Sequence, residues 1–393
     1  MHPVSGRVLP AFFIIAAIAS STMAADHRST PPGTALLADR HVSVAGAVAP
    51  APRQQERTAL LKRGEAALAL GKTDDAAQAF ERAALILHAS DAEMGLVRTT
   101  MQAGEYRRAL VFAAHTAGAH LDEPEGAALY AWLLHLGGQR AIAARLLAET
   151  DAPVTRNPVV EATRRQLRAA LPIASSQLMA PPTRFAPYAS APNLPATARV
   201  VGSGVLIDQG TRALVPMSAV PRSARVWLRN GVGITTRATV ERYNAAEGVA
   251  ILRLASPLSR NTELAIAPKD PFPGSVAYTA EYSPSGNANP AWPVMHVGFS
   301  GATMGNGVQR HLGFDLPPGP RGGPVFDAAG RFIGIAIRGS GSQDQLVTAS
   351  RLQQGAGTRL GRVNPAPPSP SMAIDQVYES ALQLTVQVIV SAK

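Results

Sequence analysis

Six prolines between Leu171 and Thr197 divide this chain, and the hydrophobic period changes across them. Upstream, apolar residues recur every three to four positions, as on one face of a helix. Downstream they fall in short runs of period two, separated by Gly and Asn turns, as in strands. Prolines at this density break any regular element between the two regions. The switch predicts a multidomain chain, all-α first and all-β second, and 393 residues leave room for both.

The helical half repeats itself. A turn glycine stands at Gly71, Gly104 and Gly138, in steps of 33 and 34 residues. Ala76, Ala109 and Ala143 follow at five positions beyond it, and Phe80, Ala113 and Leu147 at nine. One helix pair cannot bury its own apolar face, whereas stacked pairs share a continuous core. The period, with Gly64, Gly71, Ala76, Phe80 and Ala83 in the first unit, resembles the tetratricopeptide repeat. An unrelated helical bundle is the competing reading. A last helix opens at Asn157-Pro158 and caps the stack. The expected boundaries are a flexible lead over 25–54, TPR-like repeats over 55–171, and a Pro-rich linker over 172–197 that leaves the two halves semi-independent.

The β half, 198–362, carries three motifs. The first is Gly202-Ser203-Gly204-Val205-Leu206-Ile207, followed by Pro216-Met217-Ser218-Ala219-Val220. The second is Glu247-Gly248-Val249-Ala250-Ile251-Leu252. The third is Gly319-Pro320-Arg321-Gly322-Gly323-Pro324-Val325-Phe326-Asp327, followed by Gly330-Arg331-Phe332-Ile333-Gly334-Ile335. In this order they resemble the trypsin-like serine peptidases, most closely the HtrA-like branch, and the resemblance implies a double β-barrel.

That family's chemistry needs a serine nucleophile, a histidine base and a carboxylate that orients it. Position by position, the resemblance places Ala219 where the histidine belongs, Gly248 where the aspartate belongs and Arg321 where the serine belongs. Ser218 and Glu247 each lie one residue from a lost position, and in a strand such a slip turns the side chain to the other face. The histidines of the β region, His296 and His311, follow both segments and are expected to be structural or on the surface. The resemblance alone suggests a serine endopeptidase; the residues predict an inactive homologue. Gly319, Gly322, Gly323 and Arg321 then become a candidate binding site. Arg321 either pairs with a nearby carboxylate or captures an anionic group of a partner.

The strand that normally opens such a barrel has no counterpart before Gly202. A fitting segment lies at the other end, where 363–393 begins as linker, turns helical at Asp375-Gln376-Val377-Tyr378 and then alternates through Leu384, Val386, Val388 and Val390. It is expected to dock as the missing edge strand, because an open edge invites aggregation. A free helix or partner-binding tail is the alternative.

Residues 1–24 read as a secretory signal: Arg7, an apolar stretch to Ile18, and small residues ending at Ala24-Ala25. The apolar run falls short of the ~20 residues of a spanning helix, so a periplasmic or secreted chain without a transmembrane segment is expected, with an uncleaved anchor as the alternative. The absence of cysteine excludes disulfides and thiolate metal sites. No His-x-x-x-His or paired carboxylates suggest a metal, and no phosphate loop a nucleotide, so neither metal nor cofactor is expected. The net charge of +10 is concentrated in 198–362, with 17 Lys and Arg against nine Asp and Glu. These cations are scattered and lack neighbouring aromatics, which argues against nucleic acid and leaves a polyanion or membrane surface as a third reading. The leading expectation is an exported pseudopeptidase that binds a protein or peptide in the cell envelope, of unspecified oligomeric state.

Overall fold

The computed structural model describes residues 51–150, 158–168, 187–188, 193–258, 264–303, 310–316, 321–338, 343–356, 360, 362–363 and 371–392. The expected signal segment, most of the lead, most of the Pro-rich linker and Gly319 lie outside the described residues.

Among the described residues, seven helices come first: α1 (Ala51–Ala69), α2 (Thr73–Ile86), α3 (Ser90–Gln102), α4 (Tyr106–Ala119), α5 (Pro124–Leu136), α6 (Arg140–Glu149) and α7 (Pro158–Arg168). They form helical repeats with the expected spacing. Gly71, Gly104 and Gly138 each take a left-handed turn, with φ of 69°, 81° and 83°, a conformation that glycine adopts without steric penalty. The small residues five positions later, Ala76, Ala109 and Ala143, are wholly buried. At nine positions, Phe80, Ala113 and Leu147 are buried as well. Helix α1 begins four residues inside the segment read as flexible lead. Pro52 stands in its first turn, where a missing N–H costs nothing.

The strands are β1 (Arg199–Ile207), β2 (Arg212–Pro216), β3 (Ala224–Asn230), β4 (Thr235–Asn244), β5 (Val249–Leu254), β6 (Ala265–Ile266), β7 (Val276–Glu281), β8 (Val294–Thr303), β9 (Arg310–Gly313), β10 (Pro324–Asp327), β11 (Phe332–Arg338), β12 (Asp344–Thr348), β13 (Arg362–Val363) and β14 (Thr385–Ala392). Helix α8 (Ala349–Ala356) follows β12, and α9 (Ile374–Leu384) precedes β14. The first barrel closes in the order β1-β14-β3-β4-β5-β2. The second runs β10-β7-β8-β9-β12-β11 and closes through β10–β11, with β6 and β13 appended in parallel. The β half is thus a pair of closed six-stranded antiparallel barrels.

The C-terminal strand sits inside the first barrel and not at an edge. β14 pairs with β1 from Arg199↔Val390 to Val205↔Thr385, and with β3 from Ala224↔Ala392 to Asn230↔Val386. Both of its faces are buried. Val386, Val388 and Val390 enter the barrel core. On the opposite face, Ile389 packs with Ala198, Val200 and Trp227, and the Gln387 side chain donates to Asn289 O at 3.1 Å while accepting from Arg229. Without β14, two neighbouring strands would lose their ladder partners at once.

The two halves are not semi-independent. Residues Ala49–Lys393 form one compact unit, and α9 is its mortar. Val377, Tyr378, Ala381 and Leu382 are wholly buried in a core shared by α3–α5 and both barrels. The Tyr378 ring meets Tyr106 of α4 edge-on at 4.4 Å between centroids. Its hydroxyl donates to Pro293 O at 2.8 Å, while the Tyr106 hydroxyl donates to Leu133 O at 2.7 Å. On the surface, Arg107 reaches both Asp375 and Glu379. Part of the linker is wedged in too: a Cβ at Gly71 would lie 2.5 Å from the Tyr188 ring, and one at Gly233 would strike the Tyr188 carbonyl. Nor is His296 of β8 a surface residue. It is buried, and its Nδ1 accepts from Arg140 of α6 at 2.8 Å. Burial, then the Arg140 charge, pushes this imidazole down to about 3, and the same two causes bring His135 to about 4.

Truncating Tyr378 removes a fully buried aromatic ring from this junction. Tyr378→Ala is expected to cost about 3–5 kcal/mol. The helical and barrel halves should unfold earlier in one shared transition, followed by far-UV circular dichroism and by tryptophan fluorescence. Deleting 371–393 should abolish soluble folding. A helical transition unmoved by Tyr378→Ala would contradict the shared core.

Candidate functional site at the barrel seam

The three positions of interest lie where the barrels meet. Ala219 ends a one-turn 3-10 helix after β2 and is buried in the first barrel. Gly248 occupies the β4–β5 turn at φ 68°, and its carbonyl accepts from Met217 N at 2.8 Å, which ties that turn to the Ala219 turn. Arg321 opens the Gly322-Gly323-Pro324 segment that leads into β10. Gly322 has φ 137°, and a Cβ there would lie 1.9 Å from Ser203 O and 2.6 Å from Pro216. A Cβ on Gly323 would meet Ala280 O at 2.2 Å. Both glycines are therefore required by close packing of backbone between β1 and β7. Pro216 immediately precedes the Ala219 turn, so the structure brings all three motifs together.

The Arg321 side chain is 3% exposed and faces Asp344 at the start of β12. Its Nε donates to Oδ1 at 2.7 Å and its terminal nitrogen to Oδ2 at 3.1 Å. This is the planar, two-pronged arrangement that a guanidinium forms best. Arg338 adds a second cation 3.3 Å from the same carboxylate. Of the two roles the sequence left open for Arg321, the internal ion pair is the geometry observed. A buried charge needs such a partner, because desolvation of an isolated guanidinium is prohibitive.

Glu281, at the end of β7, is the other charge-bearing group of the seam. Its Oε1 accepts from Gly323 N at 3.1 Å. Burial pushes its carboxyl up to about 7, against the opposing pull of Ser203, the Arg321 charge and the Gly323 N–H. The Ser203 hydroxyl is itself engaged, accepting from Tyr282 N at 2.7 Å.

The neighbours that could carry peptidase chemistry are placed elsewhere. Ser218 is exposed on its turn. Glu247 is buried and paired with Arg351 at 2.8 Å. The Nδ1 of His296 is held by Arg140. Among the described residues, no cluster of metal-ligating side chains lies on the barrels. Asp344 was not foreseen, since nothing in the sequence links it to a residue 23 positions away, ahead of another strand. Glu281 had a visible signal: it is a lone carboxylate closing the apolar run Val276–Glu281.

The protonation of Glu281 gives the seam a pH signature. A carboxyl raised from 4.5 to about 7 favours the folded state fully below pH 4.5, and this contribution is lost as pH rises through about 7. Glu281→Gln keeps the neutral shape. Its stability relative to wild type should therefore increase between pH 4.5 and 8 in denaturant titrations. A difference independent of pH would refute a protonated Glu281.

A family model for the trypsin-like peptidase domain matches residues 194–335. No curated protein matches the chain. Among solved structures, the apo MamO protease domain from Magnetospirillum magneticum is 13% identical, covering 41% of this chain and 95% of its own at a TM-score of 0.31. The Rv3671c protease in its inactive form is 17% identical, covering 42% and 88% at a TM-score of 0.32. The family match lies within the two closed six-stranded barrels, and this region of the chain has the trypsin-like double-barrel fold.

Proposed function

We propose that this chain is an exported, non-catalytic member of the trypsin-like fold that binds a protein or peptide in the cell envelope. The observation that carries the reading is the Arg321–Asp344 pair. A guanidinium stays protonated at any working pH and cannot act as a nucleophile, and here its fork is closed on an internal carboxylate. Ala219 supplies no base and Gly248 no carboxylate, so the proton relay of a serine peptidase has no members.

The binding half of the reading is supported by the outer face of the second barrel. Val276 and Phe299 are paired across β7 and β8 and are 48% and 51% exposed; Val297 on the same strand and Phe272 before β7 are exposed too. Neighbouring exposed apolar side chains of this kind mark protein-binding surfaces. The polyanion reading is weakened by how many barrel arginines have internal carboxylate partners: Arg212 and Arg253 with Glu241, Arg331 with Asp327, and Arg351 with Glu247.

The full chain is expected to hydrolyse no casein or peptide-library substrate, and to take up no fluorophosphonate, across pH 5–9. Labelling or cleavage that survives repurification and disappears in a Ser218→Ala variant would establish a peptidase of altered mechanism instead.

A further inference from the structure

The helical stack holds a group of side chains that the barrel chemistry does not use. His88 lies in the connection between α2 and α3, Glu93 in the first turn of α3, His115 a turn before the end of α4 and His120 at its C-cap. Their polar atoms converge. His88 Nε2 is 2.6 Å from Glu93 Oε1, His115 Nε2 is 3.4 Å from that same oxygen, and His120 Nε2 is 3.4 Å from Glu93 Oε2. The ligand atoms of His88, Glu93 and His120 all lie within 4.8 Å of one another. The His88 ring is 5.7 Å from that of His115 and 5.2 Å from that of His120.

Internal pairing accounts for only part of this arrangement, through His88 on Glu93 Oε1. Glu93 Oε2 and His120 Nε2 are both buried, and neither has a hydrogen-bond partner. A buried polar atom is costly when left unsatisfied, and here two such atoms face each other across 3.4 Å. Tetrahedral ligands at ordinary zinc–nitrogen and zinc–oxygen lengths stand about 3.3 Å apart, and His120 Nε2 stands 3.4 Å from Glu93 Oε2, a separation that fits two ligands of one ion. The surroundings are acidic. Asp91, Asp122, Glu123 and Glu125 stand close to His120 or to one another.

We propose that His88, Glu93 and His120 bind a divalent transition ion of the zinc class, with His115 at the rim as fourth ligand. Imidazoles with one carboxylate suit zinc and its neighbours, whereas calcium and magnesium require oxygen shells. The ion would join the α2–α3 connection to the end of α4, stapling the first repeat to the second. His88 and His115 are exposed, so the site opens to solvent. No metal-ligand spacing is visible along the chain because the four residues come as two separate pairs, His88 with Glu93 and His115 with His120, each five positions apart.

The test is a zinc titration of the full chain, purified with a tag that contains no histidine, by calorimetry and by the visible spectrum of cobalt as a coordination probe. One equivalent of zinc should bind per chain and raise the melting temperature, with reversal by EDTA. Cobalt should give the intense absorption of a four-coordinate site. His120→Ala and the exposed His88→Ala should each weaken zinc binding at least tenfold, with an unchanged far-UV spectrum for His88→Ala, while His311→Ala on the second barrel should bind as wild type does. Absence of stoichiometric zinc binding, or an undiminished equivalent in the His88→Ala/His120→Ala double variant, would overturn the proposal and leave an adventitious ion only.

Discussion

The architecture depends on one topological constraint: the strand between β1 and β3 is delivered by the far end of the chain. Barrel closure is what removes edges from an antiparallel sheet, and this barrel closes only when β14 arrives. β14 brings α9 with it, and α9 places Tyr378 against Tyr106 in a core common to the helical stack and both barrels. A segment at the chain end thus completes one module and joins it to the other. The helical repeats consequently hold the barrels at a defined place, as Arg140 on His296 and Arg107 on Asp375 and Glu379 show.

That rigidity bears on the seam. Gly322 and Gly323 keep the tight backbone path between β1 and β7, where neither tolerates a side chain. The fold therefore retains the turn that carries the third motif, while the residue at its head is an arginine closed on Asp344. A buried ion pair is at best a modest contributor to stability, but removing one partner is severe, because the other charge is left stranded in a low dielectric. Once Arg321 and Asp344 are both present, each makes the other hard to lose. On the proposed reading, an internal ion pair holds the seam where the resemblance places a nucleophile.

Features set by local periodicity were legible in the sequence. The left-handed glycines at 71, 104 and 138, the buried alanines five positions later and the alternation of β14 each leave a regular trace in the chain. The start of α1 was missed because the lead shows no sustained period, although in the first turn a proline such as Pro52 favours a helix. What local reading could not reach were pairings across long sequence distance. Asp344 beside Arg321, Arg140 beside His296 and the ring of histidines around Glu93 are set by how elements pack, and no spacing rule encodes them. The linker misled for a related reason. Tyr188, within it, lodges against Gly71 and Gly233, so a proline-rich segment does not by itself make two domains independent.

The central claim is that the position matching a nucleophile has become a structural ion pair. A double-mutant cycle on Arg321→Met and Asp344→Leu, followed by denaturant unfolding, tests it most directly. Each single variant should lose about 3 kcal/mol or more, and the double variant should recover most of that loss, giving a coupling of at least about 2 kcal/mol. Single effects that add to within about 0.5 kcal/mol would show that the two residues stabilise the barrel independently, and would contradict the account.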